Sequence, residues 1–259
     1  MTGFGILLRK ELLESWRTYR LLVVPGLFLF TGLSSPVLAR FTPEIIQLAA
    51  GEQFAGIEIP PPVAADAVDQ MLGNLTQFGA LAAILLAMGL VASEKDRGTA
   101  AFLLAKPVTR SSFLAAKLVA IGSVLAVCTA MAVVVGWVYT ALLFETLPVS
   151  GWAWLAVLTW MSLFAYAAIT FLGSTLTGSA AAAAGLGFVA LIVLSIAAAI
   201  PGVGQFLPPG LLGPADALAS GTTTAGELGA DLLIPVVSTI VLVAACIGLA
   251  ARSFGRQEL

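Results

Sequence analysis

The sequence has no histidine and only two cysteines among its 259 residues. Without histidine, a metal site lacks its usual imidazole ligand, and Ser-His or Cys-His catalysis lacks its usual base. Zinc proteases and rhomboid-like serine proteases are therefore disfavoured. Cys128 and Cys246 lie in apolar stretches, where a free cysteine behaves as a small hydrophobic residue. We predict no disulfide, and a metal-ion pore lined by the two thiols remains the alternative.

Charge is also scarce. Only 10% of the residues are charged and 59% are hydrophobic, whereas an ordinary soluble domain has about 25% charged residues. Long stretches carry no charge at all, and crossing a bilayer takes about 20 apolar residues. The stretch from Thr146 to Ala215 must hold two crossings, because turn signals at residues 173–179 and 201–202 interrupt it. The predicted membrane-spanning helices are 21–39, 70–93, 118–144, 152–172, 180–200 and 232–251.

This pattern predicts an all-α integral membrane protein, with a single six-span domain over residues 1–259. Backbone amides in hydrocarbon must be satisfied within their own segment, which favours helices. The alternation over about ten residues that is typical of barrel strands does not occur. A cleaved signal peptide is a poor interpretation of the first span, because its apolar run begins only at Leu21, after Glu11 and Glu14.

Basic residues are distributed very unevenly between the two faces. With six spans both termini lie on one side, and that side holds all but one of the twelve basic residues, Arg40 being the exception. The positive-inside rule makes it the cytoplasmic side. The extracytoplasmic segments, 40–69 and 201–231, are acidic. Solvation of these loops is the favoured interpretation and cation collection the alternative, while their prolines and apolar residues predict short helices that form either a substrate gate or a lid.

The predicted spans contain no Asp, Glu, Lys, Arg or His. Pumps and secondary transporters place ionisable groups at membrane depth, so a proton relay is not expected here. None of the four lysines stands in the phosphate-binding pattern GxxxxGK[ST]. If the protein performs work, the energy must come from another chain.

The first twenty residues predict a cytoplasmic amphipathic helix that lies in the membrane interface. Its apolar face is expected to comprise Phe4, Leu8, Leu12, Trp16 and Tyr19. A docking role and a plain basic anchor are both open interpretations. The residues predicted to act in this interface helix are Arg9, Lys10, Glu14, Trp16 and Arg17.

The loop from Glu94 to Lys117 has the most distinctive sequence of the chain. Gly98 can end the second helix, Thr99 can cap a new one, and Pro107 can stop it, which predicts a helix about ten ångströms long across the membrane face. Thr109 or Ser111 can then cap the third span. An apolar ridge with charged flanks suits insertion into a groove on a partner. The predicted docking residues are Glu94, Arg97, Gly98, Thr99, Phe102, Leu103, Leu104, Pro107 and Arg110.

This loop resembles the first intracellular loop of permease subunits of type 2 ATP-binding-cassette (ABC) exporters. That family has Glu-x-x-x-Gly-Thr, a short Leu-rich stretch, Pro-x-x-Arg and a lysine entering the third span. The N-terminal Arg-Lys-Glu-Leu, residues 9–12, also resembles the family. The matching loop residues are Glu94, Gly98, Thr99, Leu103, Leu104, Pro107, Arg110 and Lys117.

The resemblance implies a dimer of six-span units in a prokaryotic inner or plasma membrane, with the loop forming a coupling helix on a separate ABC ATPase. That ATPase would bind ATP and Mg, while this chain would bind no cofactor and would not be an enzyme. The expected partners are the ATPase, a second copy or a homologous permease, and the bilayer, with no nucleic acid. We expect export of a hydrophobic or amphipathic substrate. A non-transporting membrane scaffold or sensor that recruits a cytoplasmic partner is the alternative.

Overall fold

The computed structural model describes residues 3–17, 20–50, 60–99 and 109–257, and these ranges contain helices and no strand. Two 3₁₀ turns, Gly204–Phe206 and Pro208–Leu211, lie between the last two long helices. The α-helices are α1 Gly3–Arg17, α2 Arg20–Ala50, α3 Ala64–Ala87, α4 Ala92–Asp96, α5 Arg110–Leu143, α6 Val149–Leu176, α7 Ala180–Ala198, α8 Leu212–Ala219, α9 Ala225–Leu228 and α10 Ala230–Gly255.

Six helical stretches in the described part of the chain are long and apolar enough to cross a membrane. They are α2, α3 together with α4, α5, α6, α7 and α10. The predicted fold class, an all-α protein with six membrane-spanning helices, is therefore confirmed. Helix α1 precedes the spans, and α8 and α9 belong to the segment between the last two.

Helices α3 and α6 form the centre of the bundle, because 61% of the most apolar stretch of each of these spans is buried. Helix α2 packs on α3 and α5, while α6 contacts α5, α7, α8 and α10. Helices α7 and α10 are peripheral, since only 17% and 22% of the corresponding stretches of these two spans are buried. Apolar faces of this extent are stable in hydrocarbon or against another chain.

Two glycines allow helices to approach closely at the backbone. A Cβ atom on Gly32 of α2 would overlap the carbonyl oxygen of Ala132 on α5. A Cβ atom on Gly151, near the start of α6, would overlap the carbonyl oxygen of Leu218 on α8. Small residues at such crossings are the usual means of close packing between membrane helices.

Helix α2 extends further than the predicted span of residues 21–39. It continues through Ala50, so the short helix predicted after Thr42 is instead the last part of α2. The helix contains three prolines, which membrane helices tolerate because hydroxyl groups and neighbouring helices satisfy the freed backbone groups. The hydroxyls of Thr31, Ser35 and Thr42 each donate to a carbonyl of α2.

The second span is interrupted shortly before the loop. Helix α3 ends at Ala87 and α4 begins at Ala92. The backbone N–H groups of Val91 and Ala92 donate to Oγ of Ser174 on α6, at 3.1 and 3.0 Å. A side chain from a neighbouring helix thus satisfies the donors at the start of α4, the helix that carries Glu94.

Candidate functional site

The candidate site lies at the end of the bundle formed by α1, α4, the start of α5 and the end of α10, which we call the basic face. Helix α1 packs on α5 through Leu7 and Glu11, which are both buried. Leu12, predicted on the apolar face of α1, is 41% exposed. Phe4 and Leu8 of the predicted apolar face pack against the buried cluster that contains Leu7, and α1 also docks on α5 through Glu11 and its ion pair with Lys117. The side chains of Trp16, Arg17 and Tyr19 lie outside the described residues.

Five ionisable side chains from three helices meet at this face, and we call them the charge cluster: Lys10, Glu11 and Glu14 of α1, Glu94 of α4 and Lys117 of α5. Nζ of Lys117 lies 2.9 Å from Oε1 of Glu11 and 2.9 Å from Oε1 of Glu94. Nζ of Lys10 lies 2.7 Å from Oε1 of Glu94, and 3.0 Å from both Glu11 and Glu14. The two ammonium groups thus bridge carboxylates that come from different helices.

The centre of the cluster is shielded from solvent. The side chain of Lys117 is 2% exposed, that of Glu11 is 8% exposed and that of Glu94 is 14% exposed. The ammonium of Lys117 also lies 5.0 Å from the ring centroid of Phe113, close enough for a cation–π contact. Buried charges of this kind are tolerated only while they are paired, so the three helices must hold their relative positions to keep the cluster intact.

Lys10 occupies the more exposed edge of the cluster. Burial disfavours its ammonium form, but the hydrogen bonds and charges of Glu94 and Glu11 outweigh that effect and raise the pKa of Lys10 above its usual range. A raised pKa means that the contribution of this lysine to stability is fully present below its unfolded pKa and is lost only as the pH rises through the higher folded value. The positive charge is therefore retained throughout neutral conditions.

The carboxylates of the cluster were considered as metal ligands. Glu11, Glu14 and Glu94 each place one oxygen within 4.8 Å of the others. The ammonium groups of Lys10 and Lys117 lie between these oxygens, at hydrogen-bond distance from them. The arrangement consequently fits a set of ion pairs better than a cation centre.

The far end of the loop is tied to the end of α10. Nη1 of Arg110 lies 2.9 Å from the carbonyl oxygens of Phe254, Gly255 and Gln257. Phe254 and Gly255 lie in the last turn of α10 and Gln257 lies just beyond it, where carbonyls lack partners within the helix. Arg110, predicted as a docking residue, therefore caps a neighbouring helix of its own chain.

The near end of the loop is tied to α6. Nζ of Lys95 donates to the carbonyl oxygen of Thr175 at 2.8 Å, and Nε2 of Gln257 donates to the same oxygen at 2.9 Å. Helices α4, α6 and α10 are thereby joined at one point. The loop is thus connected to four helices of the bundle: α1, α5, α6 and α10.

Between these anchors, the remaining predicted docking residues are exposed or undescribed. Gly98 has φ +68°, a left-handed conformation that suits glycine and ends α4. The hydroxyl of Thr99 donates to the carbonyl of Glu94 at 3.2 Å, and Arg9 and Arg97 are exposed. Thr109 caps α5, as predicted, by accepting a hydrogen bond from the N–H of Ser112. Phe102, Leu103, Leu104 and Pro107 lie outside the described residues.

Sequence reasoning missed Glu11 and did not assign a role to Lys117. One available signal was the position of Glu11 one helical turn after Leu7, on the face that also contains Phe4 and Leu8. A second signal was the presence of a lysine at the entrance of an apolar span, where an ionisable group normally has a partner. Together these two observations would have predicted the ion pair.

Removing the Arg110 side chain tests the cap on α10. In Arg110→Gln we expect backbone amide exchange at residues 253–257 to accelerate by about tenfold, since a hydrogen bond to a charged donor contributes roughly 1.5–3 kcal/mol. Hydrogen exchange with mass spectrometry on the full chain in detergent measures this. Arg97→Gln removes an exposed arginine of the same loop and should leave exchange at 253–257 unchanged. Equal exchange in both variants would contradict the assignment.

Two grooves lie along the spans. One of about 630 Å³ has almost entirely apolar walls from α5, α6 and α10, including Leu118, Trp160 and Phe164. The other, of about 670 Å³, lies between α3, α7 and α8 and carries Asp69 and Asp216. Burial and the neighbouring charge of Asp69 raise the pKa of the Asp216 carboxyl.

The six spans define a multi-pass, all-helical membrane protein, and the charge cluster lies at one end of it. A family model described as "ABC-2 family transporter protein" matches residues 6–259. The chain is also similar to the uncharacterised transmembrane protein YxlG of Bacillus subtilis (strain 168), with 31% identity over 210 residues, 78% of this chain and 79% of the relative. The chain belongs to the ABC-2 family of transporter proteins, as the loop resemblance predicted. It is a membrane subunit of the permease kind, and the family implies an ABC ATPase as its partner.

Proposed function

We propose that this chain is the permease of an ATP-driven exporter, and that the charge cluster transmits movement from a cytoplasmic ATPase into the membrane helices. The observation that carries the proposal is the pairing of Lys117 with both Glu11 and Glu94 at 2.9 Å. This pairing joins the interface helix, the loop and the third span in one buried contact. A displacement of the loop therefore acts on α1 and α5 together.

The other tethers support the same role. Arg110 connects the loop to α10, and Lys95 connects it to α6. The segment between these tethers, residues 99–109, is the stretch predicted to form the coupling helix. This segment is short and both of its ends are attached to the bundle, so a force applied to it is transmitted to the bundle helices.

The proposed orientation places the basic face in the cytoplasm. Lysine and arginine near span ends set the orientation of a membrane protein. In the sequence, all but one of the twelve basic residues precede the first span, follow the sixth or lie between the second and the third. The termini, the loop and the ATPase would then share one compartment, which the transfer of force requires.

The proposed substrate is hydrophobic or amphipathic, and the proposed assembly is a pair of permeases. The walls of the 630 Å³ groove offer almost no polar group to a substrate. Helix α7 is the least buried span and exposes Val189, Ile192 and Ile196. This face suits a second copy of the chain, with the substrate moving between the two.

The test is to purify the chain with a candidate ABC ATPase and to measure complex formation, ATP hydrolysis and nucleotide-dependent movement of a spin label on α5. Leu103→Asp should abolish the complex, because it puts a charge on the proposed apolar ridge. Glu94→Gln should keep the complex but reduce the nucleotide-dependent movement, because it removes the carboxylate through which the loop pairs with both lysines.

Asp96→Asn is the matched control, since it converts an exposed carboxylate two residues from Glu94 to an amide. It should leave all three measurements unchanged. If Leu103→Asp retains both the complex and the movement, docking through the loop is wrong. If the complex forms but nucleotide never moves the label, the membrane scaffold is the correct function instead.

A further inference from the structure

A third groove lies at the basic face and differs from the apolar groove in carrying two arginines. It has a volume of about 540 Å³ and lies between the ends of α6 and α10. Leu172, Leu176 and Leu249 form its wall along the spans, whereas Arg252 and Arg256 stand at its mouth. The remaining lining residues are Ser253 and Gln257.

The two arginines are available to a ligand. Arg252 lies in the last turn of α10, Arg256 is the first residue after that helix, and both are exposed. A basic residue near a helix C-terminus usually serves the unpaired carbonyls there, but Arg110 already occupies those of Phe254 and Gly255. Neither Arg252 nor Arg256 forms an ion pair with a described residue, and no carboxylate lines this groove in the part of the chain that the structure describes.

We propose that this groove binds an anionic phospholipid, with the phosphate held by Arg252 and Arg256 and an acyl chain lying along Leu172, Leu176 and Leu249. Two guanidinium groups four residues apart can donate hydrogen bonds to both free oxygens of a phosphodiester and more than neutralise its single negative charge. The leucines belong to membrane-spanning helices, and Leu176 and Leu249 are 54% and 57% exposed. The arginines of the groove therefore lie where a lipid has its headgroup, and the leucines lie where it has its acyl chain.

A lipid fits this groove better than an acidic segment of a protein partner. An acidic segment would pair with the arginines but would not contact the apolar wall that the three leucines form, whereas a lipid contacts both. Each basic residue at the membrane surface adds to the free energy of binding an anionic lipid, so the two arginines contribute together. The site is independent of the proposed export function, because it requires neither an ATPase nor a substrate.

The test measures retention of phosphatidylglycerol and of phosphatidylcholine by the detergent-purified full chain, using native mass spectrometry and thermal unfolding. The unchanged chain should retain phosphatidylglycerol and unfold at a higher temperature in its presence, with no such response to phosphatidylcholine. In Arg252→Gln/Arg256→Gln we expect the affinity for phosphatidylglycerol to fall roughly tenfold to thirtyfold. Arg252→Lys/Arg256→Lys keeps the charge and should retain most of the binding.

The matched control is Arg9→Gln/Arg97→Gln, which removes two exposed arginines from the same face but outside the groove. It should bind phosphatidylglycerol as the unchanged chain does. Equal losses in the two glutamine pairs would overturn the site in favour of general surface attraction. Glycerol 3-phosphate should give no thermal shift, and a shift as large as that of the lipid would show a free-phosphate site and contradict the proposal. Displacement of the lipid by an acidic peptide of the partner ATPase would contradict it as well.

Discussion

Replacing Lys117 with methionine will destabilise the folded chain by about 3 kcal/mol, because Glu11 and Glu94 lose their buried cation and keep only Lys10, at the exposed edge of the cluster. Lys117 is 2% exposed, and Glu11 and Glu94 both lie 2.9 Å from its ammonium. Methionine keeps the length and the apolar stem of lysine, so the loss reports the charge rather than a cavity. Thermal unfolding in detergent, followed by the fraction that remains monodisperse, measures the effect.

Two further variants separate the buried pair from a general loss of charge. Lys10→Met removes the other lysine of the cluster, whose side chain is 36% exposed, and should cost much less because solvent screens that position. Adding Glu11→Gln to Lys117→Met should recover part of the stability by neutralising one stranded carboxylate. Equal effects of Lys10→Met and Lys117→Met would contradict the assignment of Lys117 as the centre of the cluster.

The number and type of the spans could be predicted from the sequence, because the constraint that acts on them is local. An uncharged stretch of sufficient length has to be helical in hydrocarbon, whatever surrounds it. The ends of the spans were harder to predict. The Thr42–Pro43 pair predicts the start of a new short helix, yet α2 continues through it to Ala50. The break before Ala92 depends on Ser174, a residue of another helix whose contact has no trace in the local pattern.

The ends of the loop could be predicted for a similar reason, since Gly98 ends one helix and Thr109 caps the next through contacts with residues close to them in sequence. The partners of its charged residues were not. Arg110 contacts carbonyls at the end of α10, far along the chain. Glu11 appears in sequence as one more charge in a polar helix, and only the packing of α1 on α5 shows it to be buried. Charged residues that the sequence assigns to docking, such as Glu94 and Arg110, can therefore form contacts within the chain that hold the ends of the loop in place.

Gly32→Ala is a second substitution for which we expect a large loss of stability, although it adds only one methyl group. A Cβ atom there would overlap the carbonyl oxygen of Ala132 and lie 3.0 Å from its Cα and C atoms. All three are backbone atoms of α5, which cannot rotate away as a side chain can. Gly32→Ala should therefore force α2 and α5 apart and destabilise the chain by about 3 kcal/mol, the upper end of the usual cost of overpacking. Thermal unfolding in detergent measures this loss.

Gly26→Ala provides the matched control on the same helix, because a Cβ atom at Gly26 meets nothing within 4 Å. Alanine is favoured over glycine within a helix by roughly 0.5–1 kcal/mol, so this substitution should be neutral or slightly stabilising. The two variants are chemically identical and are predicted to have opposite signs. If Gly32→Ala proves as stable as Gly26→Ala, then α2 and α5 do not touch at their backbones. The third span, which carries Lys117, would then lack the rigid contact with α2 through which movement of the charge cluster reaches the first span.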